Sequence, residues 1–467
     1  MTPTELDYLF GWRCLLPAMA VANAPPRLFG FSEDEAQFWK RWCAQQAEPV
    51  VGALAPGQMQ DGPVLLVDAE RCPASALPNG AELAQAAVVA VVADRAQGRR
   101  WRRVLGAAFP AVREFALLPA ARPRVVVPLG IARHALAGLA LHRPGRWVPR
   151  VGLAVARILA AMGQFSLLRG RVLLIAQRAP MPPPVGAWQA GLPTAPNGQP
   201  WQAFAAYLGT PDDRRKTVML PLDQHAPKMV LKVGSSPRAR AALGNEASAL
   251  VALAASPLAS QVPRLLGQHN HADTLTLQQE YRPRRRVSSG RLNSTVVAFL
   301  GQLAGLSAQP VPLAPLLAAL TSAPAQLAPH QQSVAATEAA RALHARLGAL
   351  GAQGQRAWLQ RTHGDFAPWN CGWSNQGLFV YDWEDSHTQG LALGDAFYYV
   401  IAPALLLQRK PRAATTLAAV LALAERVAAA SPATPNVHVH LALWLLGRVG
   451  TAPLYDELLI LLERSWT

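Results

Sequence analysis

The chain has 467 residues, 44 of them lysine or arginine against 28 aspartates and glutamates, a formal net charge of +16 and 51% apolar residues. That length can bury two domain cores, and a charged share of only 15% excludes a disordered chain. The positive excess is spread over both halves and is almost all arginine; with no nucleic-acid-binding motif beside it, it predicts no nucleic-acid partner.

The first twenty residues carry Glu5, Asp7 and Arg13 and lack the basic start and apolar core of a signal peptide. Cys14, Cys43, Cys72 and Cys371 are scattered without metal-site spacing, which suits a reducing compartment and predicts a cytoplasmic protein. Short β-branched runs at 63–67, 87–93, 113–118, 124–128 and 171–177 alternate with helical stretches at 81–86, 99–108, 131–141 and 151–168, the pattern of an α/β layer fold. The helix at 101–109 feeding a strand at 112–119 is weakly similar to the end of a Rossmann-type methyltransferase. No Gly-x-Gly-x-x-Gly turn follows an early strand, so residues 1–178 are expected to be an α/β domain of unknown role, degenerate if of that type. The stretch 151–168, flanked by Arg150 and Arg169, reads as a buried core helix, with a peripheral membrane-surface helix as the alternative.

Residues 179–200 hold too many prolines for a sheet or helix interior and predict a linker to a second domain at 201–467. There, strands are expected at 204–208, 217–222 and 228–233, with the loop 209–216 after the first and a turn at 224–227 after the second. Lys232 falls near the end of the third strand. The chain has only five lysines, so an ammonium kept here points to a compact charge against phosphates. The helix predicted at 238–254 contains one acid, Glu246, which is the natural partner to hold Lys232. Strands at 262–266 and 274–281 read as a hairpin across 268–273, with His269 and His271 in the turn. At the end of that hairpin stand Gln279, Glu280 and Tyr281, for which a likeness to kinases implies backbone groups offered to an adenine edge. The following cluster, Arg282, Arg284, Arg285 and Arg286, is either a solvated loop or a basic rim for an anionic substrate. Helical spacing then recurs at 294–308, 312–321, 333–350, 390–407, 412–430 and 437–464.

The most informative string is Arg361-Thr-His-Gly-Asp-Phe-Ala-Pro-Trp-Asn370, followed by the apolar strand 377–381 and then Asp382-Trp-Glu. Phosphoryl transfer needs a carboxylate to accept the proton of the attacking hydroxyl and oxygen ligands to hold Mg²⁺ against the ATP phosphates. Asp365 fits the first role, and Asn370 and Asp382 fit the second, with the Asp-x-x-x-x-Asn spacing of kinase catalytic loops.

The His-Gly-Asp form and the Asp-Trp-Glu triplet resemble the aminoglycoside phosphotransferase and choline kinase family of small-molecule kinases, over roughly residues 200–467. The resemblance implies an α+β, bilobal protein-kinase-like fold, with a small β-rich lobe, a large helical lobe and the site in the cleft between them, preceded here by the separate α/β domain. It also implies ATP and Mg²⁺ as cofactors and a structural role for Asp395. The chain lacks the Gly-x-Gly-x-x-Gly phosphate loop of protein kinases, and Asp212 and Asp213 would repel phosphates unless Arg214, Arg215 or Lys216 point inward. A basic lobe favours a neutral or anionic hydroxyl compound, such as a sugar or sugar phosphate, over a polycationic aminoglycoside. The expectation is an ATP- and Mg²⁺-dependent phosphotransferase acting on a small-molecule hydroxyl. The alternatives are a nucleotide-binding, pseudokinase-type module acting through a partner, and a kinase acting on a lipid-linked or protein acceptor.

Overall fold

The structure, a computed structural model, describes residues 26–46, 64–72, 77–119, 123–141, 147–164, 170–178, 201–209, 212–223, 227–271, 274–282, 286–287, 293–322, 333–374 and 377–466. Its compact units are Met1–Leu243 with Leu265–Tyr281, and Gly244–Arg264 with Arg282–Thr467.

The first unit starts with β1 (Arg27–Phe29), α1 (Glu33–Gln46), β2 (Val64–Asp68), α2 (Gly80–Gln85), β3 (Val88–Asp94), α3 (Arg95–Ala108) and β4 (Ala111–Leu118). It continues with β5 (Val125–Pro128), α4 (Ala132–Leu141), α5 (Trp147–Ala161) and β6 (Arg171–Gln177). β1, β2 and β3 are parallel, while β6 inserts antiparallel between β3 and β4, and β5 pairs with β4. Because successive strand residues face opposite sides, Val88, Ala90 and Val92 join one core with Val64, Leu66, Leu173 and Ile175. Val89 and Val91 join the other with Leu65, Val67, Leu174 and, from α3, Trp101 and Leu105. Continuous aliphatic runs are therefore required, since both faces are covered.

Helix α5 departs from the expectation of a buried core helix. Leu153, Ala156, Leu159 and Ala160 join the core of β5, but Val151, Val155, Ile158 and Met162 are exposed on the other side. The helix is apolar on both faces, and only one has a sheet to cover.

The same unit carries β7 (Ala203–Tyr207), β8 (Lys216–Leu222), β9 (Met229–Gly234), the start of α6 (Pro237–Ala254), β10 (Leu265–His271) and β11 (Thr274–Glu280). These strands are antiparallel in the order β7-β8-β9-β11-β10, the lysine-bearing sheet and following helix expected of the small lobe. The segment 179–200 lies outside the described residues, but the sheet does not stop there. β5 pairs with β7, making one eleven-stranded sheet, and Phe204, Met219 and Leu231 share a core with Val64 and Val88. A free β5 edge would leave backbone groups unpaired, and β7 takes them. Contacts thus divide the chain at Leu243 and Tyr281 rather than at the proline-rich segment. The hairpin is tighter than expected as well. β10 runs through His271, so His269 and His271 stand opposite Thr276 and Thr274 in the ladder, not in a turn.

The second unit contains β12 (Arg286–Val287), α7 (Ser294–Gly305), β13 (Gln309–Pro312), α8 (Leu313–Ser322), α9 (Val334–Ala352) and β14 (Arg356–Thr362). Then come β15 (Cys371–Ser374), β16 (Gly377–Val380), β17 (His387–Leu391), α10 (Gly394–Leu407), α11 (Ala413–Ala430), α12 (Val437–Leu446) and α13 (Pro453–Ser465). The helix expected over 390–407 starts only at Gly394, because the preceding residues pair with β14 as β17. The helix expected over 437–464 is two, parted at Gly447 and Gly450, with Pro453 opening the second. α11 is long and apolar enough to cross a membrane. Here its Leu417, Val420, Leu423 and Val427 are buried and it packs on α7, α10 and α13, as a core helix does.

Candidate active site

β14 delivers the chain to His363, Gly364 and Asp365. Gly364 sits at φ +85°, where a Cβ would clash with the Asp385 carbonyl, so the sharp bend requires glycine. The bend is held from below. Asp395, buried in the first turn of α10, accepts from the backbone N–H of His363 at 2.7 Å and of Gly364 at 3.0 Å. Burial pushes the Asp395 carboxyl pKa up, and those two donors act against that shift. His363 itself is fully buried against Trp383, donates from Nε2 to the Tyr381 carbonyl at 2.7 Å and accepts at Nδ1 from the Asp365 N–H at 3.3 Å. It thus ties the loop to the strand that leads to Asp382.

Asn370, in the short 3₁₀ turn Pro368–Asn370, donates from Nδ2 to the Asp365 carboxylate at 2.8 Å and to its carbonyl at 2.9 Å. An amide oxygen such as its Oδ1 is a donor of the kind that suits a hard cation. Asp382 follows β16 with left-handed dihedrals, φ 68° and ψ 60°, and opens the turn Trp383–Asp385. Asn245 of α6 fastens that turn by donating to the carbonyls of Glu384 at 2.7 Å and Ser386 at 2.8 Å. Burial raises the Asp365 pKa and the neighbouring charge of Asp382 raises it further, while the hydrogen bond from Asn370 and the nearby Tyr398 phenol act in the opposite direction. The Asp382 carboxylate and the Asn370 amide oxygen are oxygen donors of the kind that suits Mg²⁺. Among the described residues no group of three or more His, Cys, Asp or Glu could hold a metal, so phosphate oxygens would have to complete the shell.

In the first unit, Lys232 is buried on β9, opposite Leu277 and Val218 on the two neighbouring strands. Glu246, fully buried on α6, belongs to the second unit. Gln279 has a strand on each side, and Tyr281 already donates its N–H to the Lys228 carbonyl at 2.8 Å. Glu280 stands opposite Met229 at the end of β11. In the loop 209–216, the Asp212 side chain accepts from the Arg214 N–H, Asp213 is paired with Arg238, and Arg215 donates to the Leu208 carbonyl. Both aspartate side chains therefore have partners, and for Asp213 the partner is a cation that offsets its charge.

Arg282 is not a free rim residue: it lies over the Phe379 ring at 4.5 Å and donates to the Ser260 carbonyl at 2.7 Å. Arg284 and Arg285 lie outside the described residues. Sequence reasoning missed three participants: His363 as a brace, Asn245, and Tyr398, whose phenol is near enough to Asp365 to interact with its carboxylate. Tyr398 had a local signal, standing three residues after Asp395 on the same helix. Asn245 had none.

Residues 214–392 match the phosphotransferase enzyme family. Among solved structures, the chain is similar to an aminoglycoside phosphotransferase from Streptomyces rimosus at 15% identity and a TM-score of 0.32, covering 52% of this chain and 92% of that one. It is also similar to a choline kinase from Streptococcus pneumoniae at 17% identity and a TM-score of 0.30, covering 51% and 81%. No curated protein matches the chain significantly.

Proposed function

From a chain whose residues 214–392 match the phosphotransferase enzyme family, we propose an ATP- and Mg²⁺-dependent enzyme that phosphorylates a hydroxyl of a small molecule, a sugar or another neutral or anionic metabolite. The observation that carries this reading is the Asp365–Asn370 contact at 2.8 Å beside the charge of Asp382. Asp365 accepts the proton of the acceptor hydroxyl, and its raised pKa makes it a better base than an exposed aspartate. Asn370 and Asp382 hold the metal, which when bound neutralises charge on the phosphates. Lys232 grips the α- and β-phosphates, Glu246 positions Lys232, and the chain at Gln279, Glu280 and Tyr281 takes the adenine.

The test is Mg²⁺-dependent ATP consumption over sugars, sugar phosphates, choline-like alcohols and aminoglycosides, with Asp365→Ala as control. That variant is expected to lose about 10²–10⁴ in turnover while binding Mg–ADP as the wild type does. Normal turnover in Asp365→Ala refutes the base assignment.

A further inference from the structure

Beyond the residues assigned above, the second unit holds a guanidinium that phosphoryl transfer does not use. Arg448, just past α12, places its guanidinium carbon 3.7 Å from the centre of the Trp444 ring and donates one N–H to the Trp444 carbonyl at 3.0 Å. Tyr455 of α13 meets the same indole edge-on, with centroids 5.7 Å apart. Tyr455 and Tyr398 are both near enough to Arg448 to interact with its charge, and Tyr398 is near enough to Asp365 to interact with its carboxylate. One side chain therefore separates this cation from the proposed base.

A guanidinium has five N–H donors. Here one is used, and among the described residues no carboxylate forms an ion pair with it. Burial pushes the Arg448 pKa down, as expected for a cation drawn out of water without a counter-charge. An indole face beside a phenol is otherwise a surface that accepts quaternary ammonium groups. With Arg448 already lying on it, a second cation meets repulsion and an anion meets unused donors.

We propose that Arg448, backed by Trp444 and flanked by Tyr398 and Tyr455, forms an acceptor subsite that binds a phosphomonoester or carboxylate group and so presents a hydroxyl of the same molecule to Asp365. This rests on the phosphotransferase reading and narrows its acceptor to an anionic hydroxyl compound. In the transfer, the acceptor oxygen bonds to the γ-phosphorus, the bond from that phosphorus to the bridging oxygen breaks, ADP leaves, and the hydroxyl proton passes to Asp365.

The test is calorimetric titration of the full chain with glycerol 3-phosphate, glycerate, choline and, separately, Mg–ADP. At least one of the two anions is expected to bind and choline is not; which anion binds tells phosphate from carboxylate recognition. Arg448→Gln should weaken the anion about tenfold to a hundredfold with Mg–ADP affinity unchanged. Arg448→Lys, which keeps the charge but not the planar fork, should fall between the two and decides the matter if the glutamine variant does not fold. The proposal is overturned if neither anion binds, if choline binds, or if both variants hold the anion as the wild type does. Failure of Mg–ADP to bind the wild type refutes the phosphotransferase reading instead, and the anion titrations still decide the subsite.

Discussion

Replacing Asp395 by alanine removes the only side chain that both loop amides, those of His363 and Gly364, use as acceptor. The His363 N–H is buried with no route to water, and an orphaned donor of that kind costs about 1–3 kcal/mol. Gly364 is exposed, so its N–H recovers a water and loses only about 1 kcal/mol. The sum is a destabilisation of about 2–4 kcal/mol, which for a unit of this size lowers Tm by about 4–16 °C. Asp395→Asn keeps one acceptor oxygen of the same shape and should fall about half as far. Scanning calorimetry or far-UV melting of the three proteins measures this. ATP consumption at a temperature where all remain folded then asks whether Asp365 is still held. A Tm for Asp395→Ala within 2 °C of the wild type would refute the argument, because it would mean that the two amides find other partners at no cost.

Three further outcomes follow from local geometry. His440 is fully buried, accepts at Nε2 from the Trp358 N–H at 2.9 Å and donates from Nδ1 to the Asn436 carbonyl at 2.7 Å, and burial pushes its pKa down. The unfolded chain therefore binds the proton first. Stability from this site is complete above about pH 6.5 and is lost as pH falls below it, at up to about 1.4 kcal/mol per pH unit; melting at pH 7.5 and 5.5 should show a smaller drop for His440→Gln. Gly364→Ala, at φ +85° with no room for a Cβ, should cost about 3 kcal/mol or more and abolish turnover; a variant with wild-type Tm and activity would show that the bend does not need glycine. Asp365→Ala, by contrast, should keep its Mg–ADP affinity while losing turnover.

The string 361–382 was legible because its chemistry is local. Asp365 and Asn370 lie five residues apart on one short loop, so their spacing alone brings them to the observed contact. The strands and helices were legible for a similar reason, since alternating or helical apolar spacing decides them within a few residues. The break at Gly447–Ala452 was also present in the sequence, as two glycines and a proline, although helical spacing on either side masked it.

What only the tertiary structure decided are contacts between residues far apart in the chain. Asp395 reaches His363 across 32 residues, and Asn245 reaches Ser386 across 141. Arg448, just past α12, and Tyr398, on α10, come within electrostatic reach of each other. No local pattern encodes such pairs, because each depends on how several loops close at once. The joining of β5 to β7 across the proline-rich segment and the half-covered α5 belong to the same class. Composition can say that a strand edge or a helix face is apolar, but only the packed chain decides what covers it.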